Sequence, residues 1–415
     1  MSSSIVSETP IGVTTSGSKR DILAALNAAT RTFWQKWYGA FKQIFSVYMA
    51  VHLAFFVTTC FSFLFILNDF QETGAPLSSL WHTWRRWDTA YYLDISQGGY
   101  STNYRTAFFP FYSIIIHVVT WITHNPLISA LMISDLAGLV LLVVLYQMVK
   151  EDFDQERAYR TVLYLSIFPT AFFFAAGYNE SLFVCLSLLS FYNMRHGQWW
   201  WAGLFGLLAS LTRSTGLLLA LPFCYEYLSQ RQFRLRAIRL DVVSMALVPV
   251  GTGLFAIYCY YRFGDPLAFS HAQAHWNHEL HGPWHGIIGS INAIRKGYGL
   301  LSFQTLRNLT DLVPDLMVLV LLALSLIGPW RFPRSLWSYC VYGIALYLFL
   351  QSFPVAGTGL FPLQSLSRYL LEVFPAFIVL AAFGKSRAFN LNYLMISGAL
   401  LFFLLTQFLT GHWVL

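Results

Sequence analysis

Residues 81–112, WHTWRRWDTAYYLDISQGGYSTNYRTAFFPFY, form a polar and aromatic segment between long apolar runs. The segment contains two carboxylates, Asp88 and Asp94, together with three tryptophans, several tyrosines and three arginines. These are too many polar groups for the hydrocarbon core of a bilayer, and such a density of aromatic rings is typical of a membrane–water interface. The segment therefore predicts a site at a membrane surface.

The composition of the whole chain is that of a membrane protein. Of its 415 residues, 56% are hydrophobic and only 11% are charged, whereas about a quarter of the residues in soluble domains are charged. The net charge of +7 does not indicate a nucleic-acid partner, because most cations fall in short loops between apolar segments, as on the cytoplasmic side of membrane proteins. The five cysteines are scattered singly, without the spacing of a metal or redox site, and are expected to be packing residues.

Eleven apolar segments predict an all-α, multi-pass integral membrane protein, since a span needs about 20 apolar residues, or fewer where a short helix packs among others. Residues 1–43 are expected to be a cytoplasmic N-terminal tail, disordered up to about residue 20, and residues 44–415 to be the transmembrane domain. That domain carries a large first extracytoplasmic loop at 67–125, a second at 262–312 and a smaller one at 354–367. The predicted spans lie near 44–66, 126–149, 160–177, 181–194, 199–211, 215–228, 241–261, 313–330, 336–353, 368–384 and 391–410.

Charge counting decides how the apolar run at 107–123 is interpreted. If this run lies on the surface and the N-terminus is cytoplasmic, 17 of the 26 Lys and Arg residues fall on the cytoplasmic side. If the run crosses the membrane, every later loop changes side and the number falls to 11. Because cytoplasmic loops are enriched in Lys and Arg, the count favours an interfacial helix at 107–123.

Asp88 is the candidate for a catalytic general base. A carboxylate beside aromatic rings at the edge of lipid can work near neutral pH, because desolvation disfavours its charged form while the neighbouring Arg85 and Arg86 favour it. Asp94 lies six residues further on, more than one helical turn away, so the two carboxylates need not share a face. The alternative is that both are solvated loop residues and that the nearby tryptophans form only an interfacial belt.

Charged residues in or beside apolar segments are a second signal, since each costs roughly 2.5–3.5 kcal/mol at a helix centre. Glu180 lies at a turn, Arg213 at the tip of a predicted hairpin, and Asp135 inside its span. Arg368 and Glu372 are four residues apart, and the alternative for them is a salt bridge within one helix. For Asp135 the alternative is a hydrogen bond between helices.

Two of these cations, Arg213 and Arg368, map to the predicted extracytoplasmic side. The planar guanidinium group can donate two parallel hydrogen bonds to a phosphate. The two side chains therefore predict a site for the phosphate of a lipid head group.

The second large loop contains Asp265 and then the histidine-rich run HAQAHWNHELHGPWHG. The histidines between residues 271 and 285 raise the alternative of a metal site, but no HExxH or similar spacing is present, and we expect no metal or other cofactor. Trp276 and Trp284 suit stacking against a sugar ring. No P-loop, GxSxG or GxGxxG motif stands between a strand and a helix, so a nucleotide-linked donor is not expected.

Six short motifs follow one another along the chain: WDTAYYLDISQGGY, AFFPFY, AAGYNESLF, LTRSTGLLL, FGDPLAF and SLSRYLLEVFP. In this order they resemble the GT-C glycosyltransferases that use polyprenyl-phosphate sugars, and most closely the family of the second mannosyltransferase of the GPI-anchor pathway. The resemblance covers roughly residues 80–385. It implies a GT-C fold, a dolichyl- or polyprenyl-phosphate-mannose donor, and transfer with inversion on the extracytoplasmic side.

The resemblance also implies roles for particular residues. The family's catalytic aspartate in the first external loop corresponds to Asp88. Tyr178, Asn179 and Glu180 occupy the family's Tyr-Ser-Glu position, with asparagine where serine is usual.

We therefore predict a membrane glycosyltransferase that moves a mannosyl residue to a lipid-linked glycan or protein acceptor, with Asp88 as the base and Arg213 and Arg368 at the donor phosphate. The membrane is the plasma membrane in a prokaryote or the ER membrane in a eukaryote. The alternative is a secondary transporter or lipid flippase whose path is lined by Asp135, Glu180 and Arg213, but the long aromatic loop and the lack of internal repeats favour the enzyme. Substrate-binding candidates are Trp87, Tyr91, Asp94, Tyr178, Asn179, Glu180, Asp265 and Trp276.

Overall fold

The computed structural model describes residues 19–66, 76–357 and 359–412, with side chains from residue 34 onward. The predicted disorder up to about residue 20 concerns residues almost wholly outside these ranges, and residues 67–75 of the first predicted loop also lie outside them. The described chain is helical and contains no strand beyond an isolated antiparallel bridge between His278 and Val355.

Seventeen α-helices lie in the described ranges: α1 Lys19–Ser62, α2 Ser78–His82, α3 Asp88–Gly98, α4 Pro110–Thr123, α5 Pro126–Asp152, α6 Gln155–Ser166, α7 Glu180–Arg195, α8 Trp199–Thr212, α9 Ala220–Gln230, α10 Leu247–Phe263, α11 Ala268–His271, α12 His285–Lys296, α13 Phe303–Leu326, α14 Trp337–Gln351, α15 Leu366–Tyr369, α16 Phe374–Phe383 and α17 Arg387–Leu409. Short 3-10 helices extend or connect them at Phe63–Phe65, Asn103–Ala107, Ala171–Phe174, Ser214–Leu219, Leu235–Ala237, Leu240–Ala246, Ala272–Trp276, Arg334–Leu336 and Leu370–Glu372.

Five helical segments of the described chain are long and apolar enough to cross a membrane, with mean hydropathy between 1.8 and 2.5. A sixth candidate is a bent pair of helices late in the chain. The prediction of an all-helical, multi-pass membrane protein is therefore confirmed. The other predicted spans correspond to shorter helices, so the total of eleven spans stays a prediction. The five segments are Trp34–Phe65, Pro126–Asp152, Leu240–Phe263, Phe303–Leu326 and Arg387–Leu409.

Two of the predicted spans are not continuous helices. The segment predicted at 160–177 contains the end of α6, which stops three residues before Pro169, because proline lacks an N–H group and disfavours helix in the residue before it. The segment predicted at 368–384 bends by 85° at Val373, and Pro375 lies in the first turn of the helix that follows. Both breaks place irregular backbone and polar side chains among packed helices, where non-helical backbone at membrane depth is tolerated.

Helix α7 is the centre of the packing. It lies against α5 and α8, and α8 in turn packs against α10. Twelve of the sixteen residues of α7 are buried, among them Val184, Leu188 and Phe191, which are fully enclosed. A helix that is buried on all sides has fixed ends, so the polar residues at its two termini are held in defined positions.

A second, aromatic core lies beneath the first predicted loop. Tyr92 of α3 packs edge-to-face against Phe108 and Tyr112, with ring centroids 5.2 and 5.0 Å apart. Phe109 and Phe255 join the same buried cluster. Such ring pairs add to the apolar area that they bury, so α3 and α4 are fixed to the main helical body.

The predicted surface segment 107–123 corresponds to the 14-residue helix α4. At 1.5 Å per residue this helix is about 21 Å long, which is less than the roughly 30 Å of a hydrocarbon core. It packs against α3 and α5. Its length favours the surface location, which stays a prediction.

Candidate active site

Asp88 is the first residue of α3, where the partial positive charge of a helix N-terminus favours a carboxylate. The preceding residue, Trp87, has a φ of 46°, so the chain turns sharply into the helix. The carboxylate oxygen Oδ2 accepts a hydrogen bond of 2.8 Å from Nη1 of Arg368. The backbone N–H of Asp88 donates to the Tyr178 hydroxyl at 3.3 Å. Residues from two distant parts of the chain therefore fix the position of this aspartate.

Arg368 lies in the last turn of α15, just before the 85° bend. Its Nη2 donates to the Tyr369 hydroxyl at 2.6 Å, and its Nε lies 3.1 Å from Oε1 of Glu180. The guanidinium carbon lies between 4.6 and 5.3 Å from the ring centroids of Phe173, Tyr178 and Tyr369. Aromatic faces attract a cation at this distance, so the side chain is held by rings as well as by carboxylates.

Glu180 is the first residue of α7 and connects the two arginines. Its Oε1 accepts a hydrogen bond of 3.1 Å from Nη1 of Arg213, which follows the last residue of α8. The same Nη1 donates to Oδ1 of Asn179 at 2.9 Å, and Nε of Arg213 lies 3.1 Å from Oε1 of Glu372. The carboxylate at a helix N-terminus and the cation at a helix C-terminus both agree with the helix dipoles.

Asp88, Glu180, Arg213, Arg368 and Glu372 thus form one connected group, which we call the charge cluster. It has three carboxylates and two guanidinium groups, and the side chains of Glu180 and Glu372 are at most 1% exposed. Burying a charge is costly unless it is paired, so each charged side chain of the cluster depends on its partners.

The hydrogen bonding of the charge cluster is incomplete. Oε2 of Glu180 and Oε1 of Glu372 accept no hydrogen bond from the described residues, although the latter is close to Arg213. No described donor reaches Oδ1 of Asp88, whose side chain is 21% exposed. Buried polar groups without partners are uncommon in folded proteins. The pattern fits a site whose remaining partners come from a substrate.

The structure rules out one alternative for these charges and contradicts one expectation. Arg368 and Glu372 do not pair with each other, because the helix changes from α to 3-10 geometry between them and the two side chains bind different partners. Arg86 does not lie beside Asp88, since its guanidinium group donates to the backbone carbonyls of Thr83, at 3.1 Å, and of Leu409 in α17, at 2.5 Å.

Asp94 and Asp135 lie apart from the charge cluster. Oδ2 of Asp94 accepts a hydrogen bond of 3.2 Å from Arg105, and both side chains are near the surface. Oδ1 of Asp135 lies 3.3 Å from Nε2 of His52 in α1, which is the contact between helices that the sequence left open as an alternative.

Trp276 reaches across from the second large loop to the first. Its ring centroid lies 5.9 Å from that of Tyr91, 5.7 Å from Phe108 and 6.0 Å from Tyr104. Tyr104 also stacks on His275 at 4.4 Å. We call Tyr91, Tyr104, Phe108, His275 and Trp276 the aromatic patch, which joins two loops and keeps Tyr104, His275 and Trp276 partly open to solvent.

Asp265 binds within its own loop. It accepts a hydrogen bond from the Leu267 backbone N–H at 2.9 Å and pairs with Nδ1 of His271 at 2.7 Å, and the hydrogen bond with His271 lowers the pKa of Asp265. His278 binds separately, to the Phe353 carbonyl at 2.8 Å. Within the described residues, no three His, Cys, Asp or Glu side chains are placed to hold one metal ion.

Two glycines allow the close packing around the charge cluster. A Cβ atom on Gly177 would lie 2.9 Å from Cγ2 of Thr89, the residue after Asp88. A Cβ atom on Gly216 would lie 2.5 Å from the backbone N and Cα of Ser210. The glycines of AAGYNE and LTRSTG therefore permit the approach of the segments that carry Glu180 and Arg213.

Comparison with known proteins identifies the family of this chain. The family model described as Mannosyltransferase (PIG-V) matches residues 52–332, which is more than half of the chain and includes Asp88, Glu180 and Arg213. The chain belongs to this family. A member from Schizosaccharomyces pombe, GPI mannosyltransferase 2, is 25% identical over 317 residues, which cover 73% of this chain and 67% of the yeast protein. The prediction of a mannosyltransferase is thus confirmed for this PIG-V-family chain.

Other relatives match over shorter regions. GPI alpha-1,6-mannosyltransferase 2 from Rattus norvegicus is 28% identical over 143 residues, or 32% of the PIG-V-family chain and 29% of the rat protein. Among solved structures, ArnT from Cupriavidus metallidurans bound to undecaprenyl phosphate superposes with a TM-score of 0.51 at 16% identity, covering 87% of this chain. The chain spans 62% of the length of ArnT. That similarity supports the predicted GT-C fold.

Several residues near the charge cluster were not candidates from the sequence. Tyr369 and Thr215 contact Arg368 and Glu372 directly, and both belong to the quoted motifs. Their positions beside charged motif residues were the available signal.

Proposed function

We propose that this protein transfers a mannosyl residue from polyprenyl-phosphate-mannose to an extracytoplasmic acceptor, with Asp88 as the general base. The observation that carries the proposal is the charge cluster, in which Asp88 is bound by Arg368 and connected to Arg213 through Glu180. A general base needs a carboxylate oxygen within reach of the acceptor hydroxyl, and Oδ1 of Asp88 has no other described partner.

The reaction requires the protein to accept only one proton. The acceptor oxygen attacks the anomeric carbon, a new C–O bond forms, and the bond between that carbon and the phosphate oxygen breaks. The hydroxyl proton passes to Asp88 and polyprenyl phosphate leaves with the bonding electrons. Attack opposite the leaving phosphate inverts the configuration. A phosphate leaving group is stable, so we propose no metal for this step.

Arg213 is the better placed of the two arginines to receive the donor phosphate. Its Nη2 has no described partner, so this nitrogen can bind an anion without losing a contact. Arg368 has to exchange its bond with Asp88 or with Tyr369. Negative charge grows on the phosphate as the bond breaks, and positioned cations therefore stabilise the transition state more than the ground state.

The acceptor in this proposal is a glycolipid, and the active site faces the extracytoplasmic side. The names of the yeast and rat relatives support a GPI-like acceptor. The aromatic patch supports an acceptor glycan as well, since open aromatic faces bind sugar rings by stacking. The ArnT structure, which contains undecaprenyl phosphate, motivates the choice of a polyprenyl carrier. The transporter alternative gains nothing from Asp135, which is bound to His52 away from the charge cluster.

The test compares Asp88→Asn with Asp94→Asn in purified protein reconstituted into liposomes. Asparagine keeps the shape of residue 88 but removes the basic oxygen, so transfer of radiolabelled mannose should fall by about 10²–10⁴. Donor affinity should stay near that of the unmodified protein, because both arginines remain. Asp94→Asn loses only an exposed ion pair, worth about 0–1 kcal/mol, and should retain most of its activity. Normal transfer by folded Asp88→Asn protein would move the base to another carboxylate, with Glu180 next.

A further inference from the structure

Arg368 depends on a short and irregular piece of chain for its position. Helix α15 has four residues, and Ser365 before it adopts a left-handed conformation with a φ of 66°. One helical turn has too few internal hydrogen bonds to be stable alone. The orientation of Arg368 must therefore be set by contacts from outside this segment.

Those contacts converge on Ser367, the residue before Arg368. Oδ1 of Asp311 accepts two hydrogen bonds from Ser367, one from its backbone N–H at 2.9 Å and one from its hydroxyl at 2.7 Å. The Ser367 carbonyl accepts a third hydrogen bond, from the Thr170 hydroxyl at 3.0 Å. Ser367 lies in the first turn of α15, where backbone N–H groups have no partner within the helix. Asp311 thus caps this helix from α13.

Asp311 is well suited to this role because it is itself fixed. It is 3% exposed and lies in the interior of the 24-residue helix α13. One turn earlier on the same helix, Asn308 donates to the Leu360 carbonyl at 2.8 Å, which ties down the loop before α15. A buried carboxylate is costly to desolvate, so its two hydrogen bonds with Ser367 are not easily given up.

We propose that Asp311 is a positioning residue, which holds Arg368 in the charge cluster through its two hydrogen bonds with Ser367. Asp311 has no hydrogen bond to Asp88 or Glu180, so it acts only through the chain that it anchors. The proposal rests on the proposed function, in which Arg368 holds the carboxylate of the base Asp88. Misplacing such a group by about 1 Å is enough to lower a rate on the order of a hundredfold.

The test is a double-mutant cycle between Asp311 and Arg368, measured as kcat/KM for mannosyl transfer. Asp311→Ala should lower kcat/KM on the order of ten- to a hundredfold in the natural chain and less than about twofold when Arg368→Ala is already present. Asp311→Asn should recover most of the loss, because its amide oxygen can still accept both hydrogen bonds. Equal losses in both backgrounds, or no recovery by asparagine, would overturn the proposal.

Asp315 provides a matched control on the same helix. It is also buried, but it binds the Gln351 side chain instead of α15. Asp315→Ala should lower thermal stability without changing kcat/KM per folded molecule. If Asp311→Ala protein does not fold, Ser367→Ala and Thr170→Val each remove a single hydrogen bond and should give the same dependence on Arg368.

A measurement without substrate separates this proposal from the proposed function. Amide hydrogen exchange of the peptide covering 366–369 should become faster in Asp311→Ala protein and stay slow in Asp311→Asn protein. Unchanged exchange in folded Asp311→Ala protein would refute the anchoring contact. Faster exchange together with an absence of mannosyl transfer in the natural chain would instead refute the proposed function and leave the anchoring contact in place.

Discussion

Each end of α7 lies in a buried cluster of arginine and carboxylate side chains, but the two clusters differ in how many of their carboxylate oxygens accept a hydrogen bond. At its N-terminus, Glu180 lies in the charge cluster, where several oxygen atoms have no hydrogen-bond donor among the described residues. At its C-terminus, Arg195 pairs with Asp152 at 2.7 Å and with Glu226 at 3.0 Å. The Tyr339 hydroxyl donates a hydrogen bond to the second carboxylate oxygen of Asp152. Ser338 and Gln230 donate hydrogen bonds to the two carboxylate oxygens of Glu226. All four carboxylate oxygens of Asp152 and Glu226 therefore accept a hydrogen bond.

The difference shows how a structural ion-pair network can be told from a candidate active site. Counting charges does not separate the two ends, because both are buried and both combine arginines with an excess of carboxylates. Counting satisfied oxygen atoms does separate them, since natural proteins leave few buried polar atoms without partners. At the Arg195 end every carboxylate oxygen of Asp152 and Glu226 accepts a hydrogen bond, whereas the charge cluster has buried carboxylate oxygens without a donor among the described residues.

The largest effect that separates the two ends is expected from Arg213→Ala. Removing a cation that stabilises developing phosphate charge should lower kcat/KM for transfer by about 10²–10³ and raise the KM for the polyprenyl-phosphate donor. Arg213→Lys should restore only part of the loss, because a single ammonium group lacks the fork geometry. The measurement is steady-state transfer by protein that elutes as a single species. Unchanged donor kinetics in folded Arg213→Ala protein would remove Arg213 from the donor site.

A smaller effect is expected from Gly216→Ala, which leaves every charge in place. The added methyl group would lie 2.5 Å from the Ser210 backbone, so the turn that carries Arg213 has to move. We expect kcat/KM to fall by about tenfold or more. The matched control is Gly398→Ala in α17, where nothing lies within 4 Å of the new atom and alanine favours the helix. Equal kinetics of the two variants would show that the site tolerates movement of this turn.

The comparison of the two ends also shows what the sequence could and could not predict. The membrane class and the motif residues follow from composition, local spacing and resemblance. The partner of Asp88 could not be predicted in this way, because Arg368 is 280 positions away in the sequence. Arg86, which is only two positions away, turns towards α17 instead. Which charges meet depends on how distant helices pack around α7, and this packing is not encoded in the local sequence. Asp311, which anchors Ser367, lies in none of the six motifs.

The smallest effect on catalysis is expected from Arg195→Ala, the counterpart of Arg213→Ala at the other end of α7. The change leaves the carboxylates of Asp152 and Glu226, which are 11% and 2% exposed, without their cation. Removing one partner of a buried pair costs about 3–5 kcal/mol, so the midpoint of thermal unfolding in detergent should fall clearly.

The kinetics of the Arg195→Ala protein that remains folded should nevertheless stay within about twofold of the natural chain. Helix α7 is packed along its length, so the neighbouring helices keep Glu180 in place without the ion pairs at the other end. The check is to measure kcat and donor KM at a temperature well below the new midpoint, normalised to folded protein. A large loss of kcat under those conditions would mean that the two ends of α7 are coupled, and that the completed ion-pair network at Arg195 sets the position of Glu180.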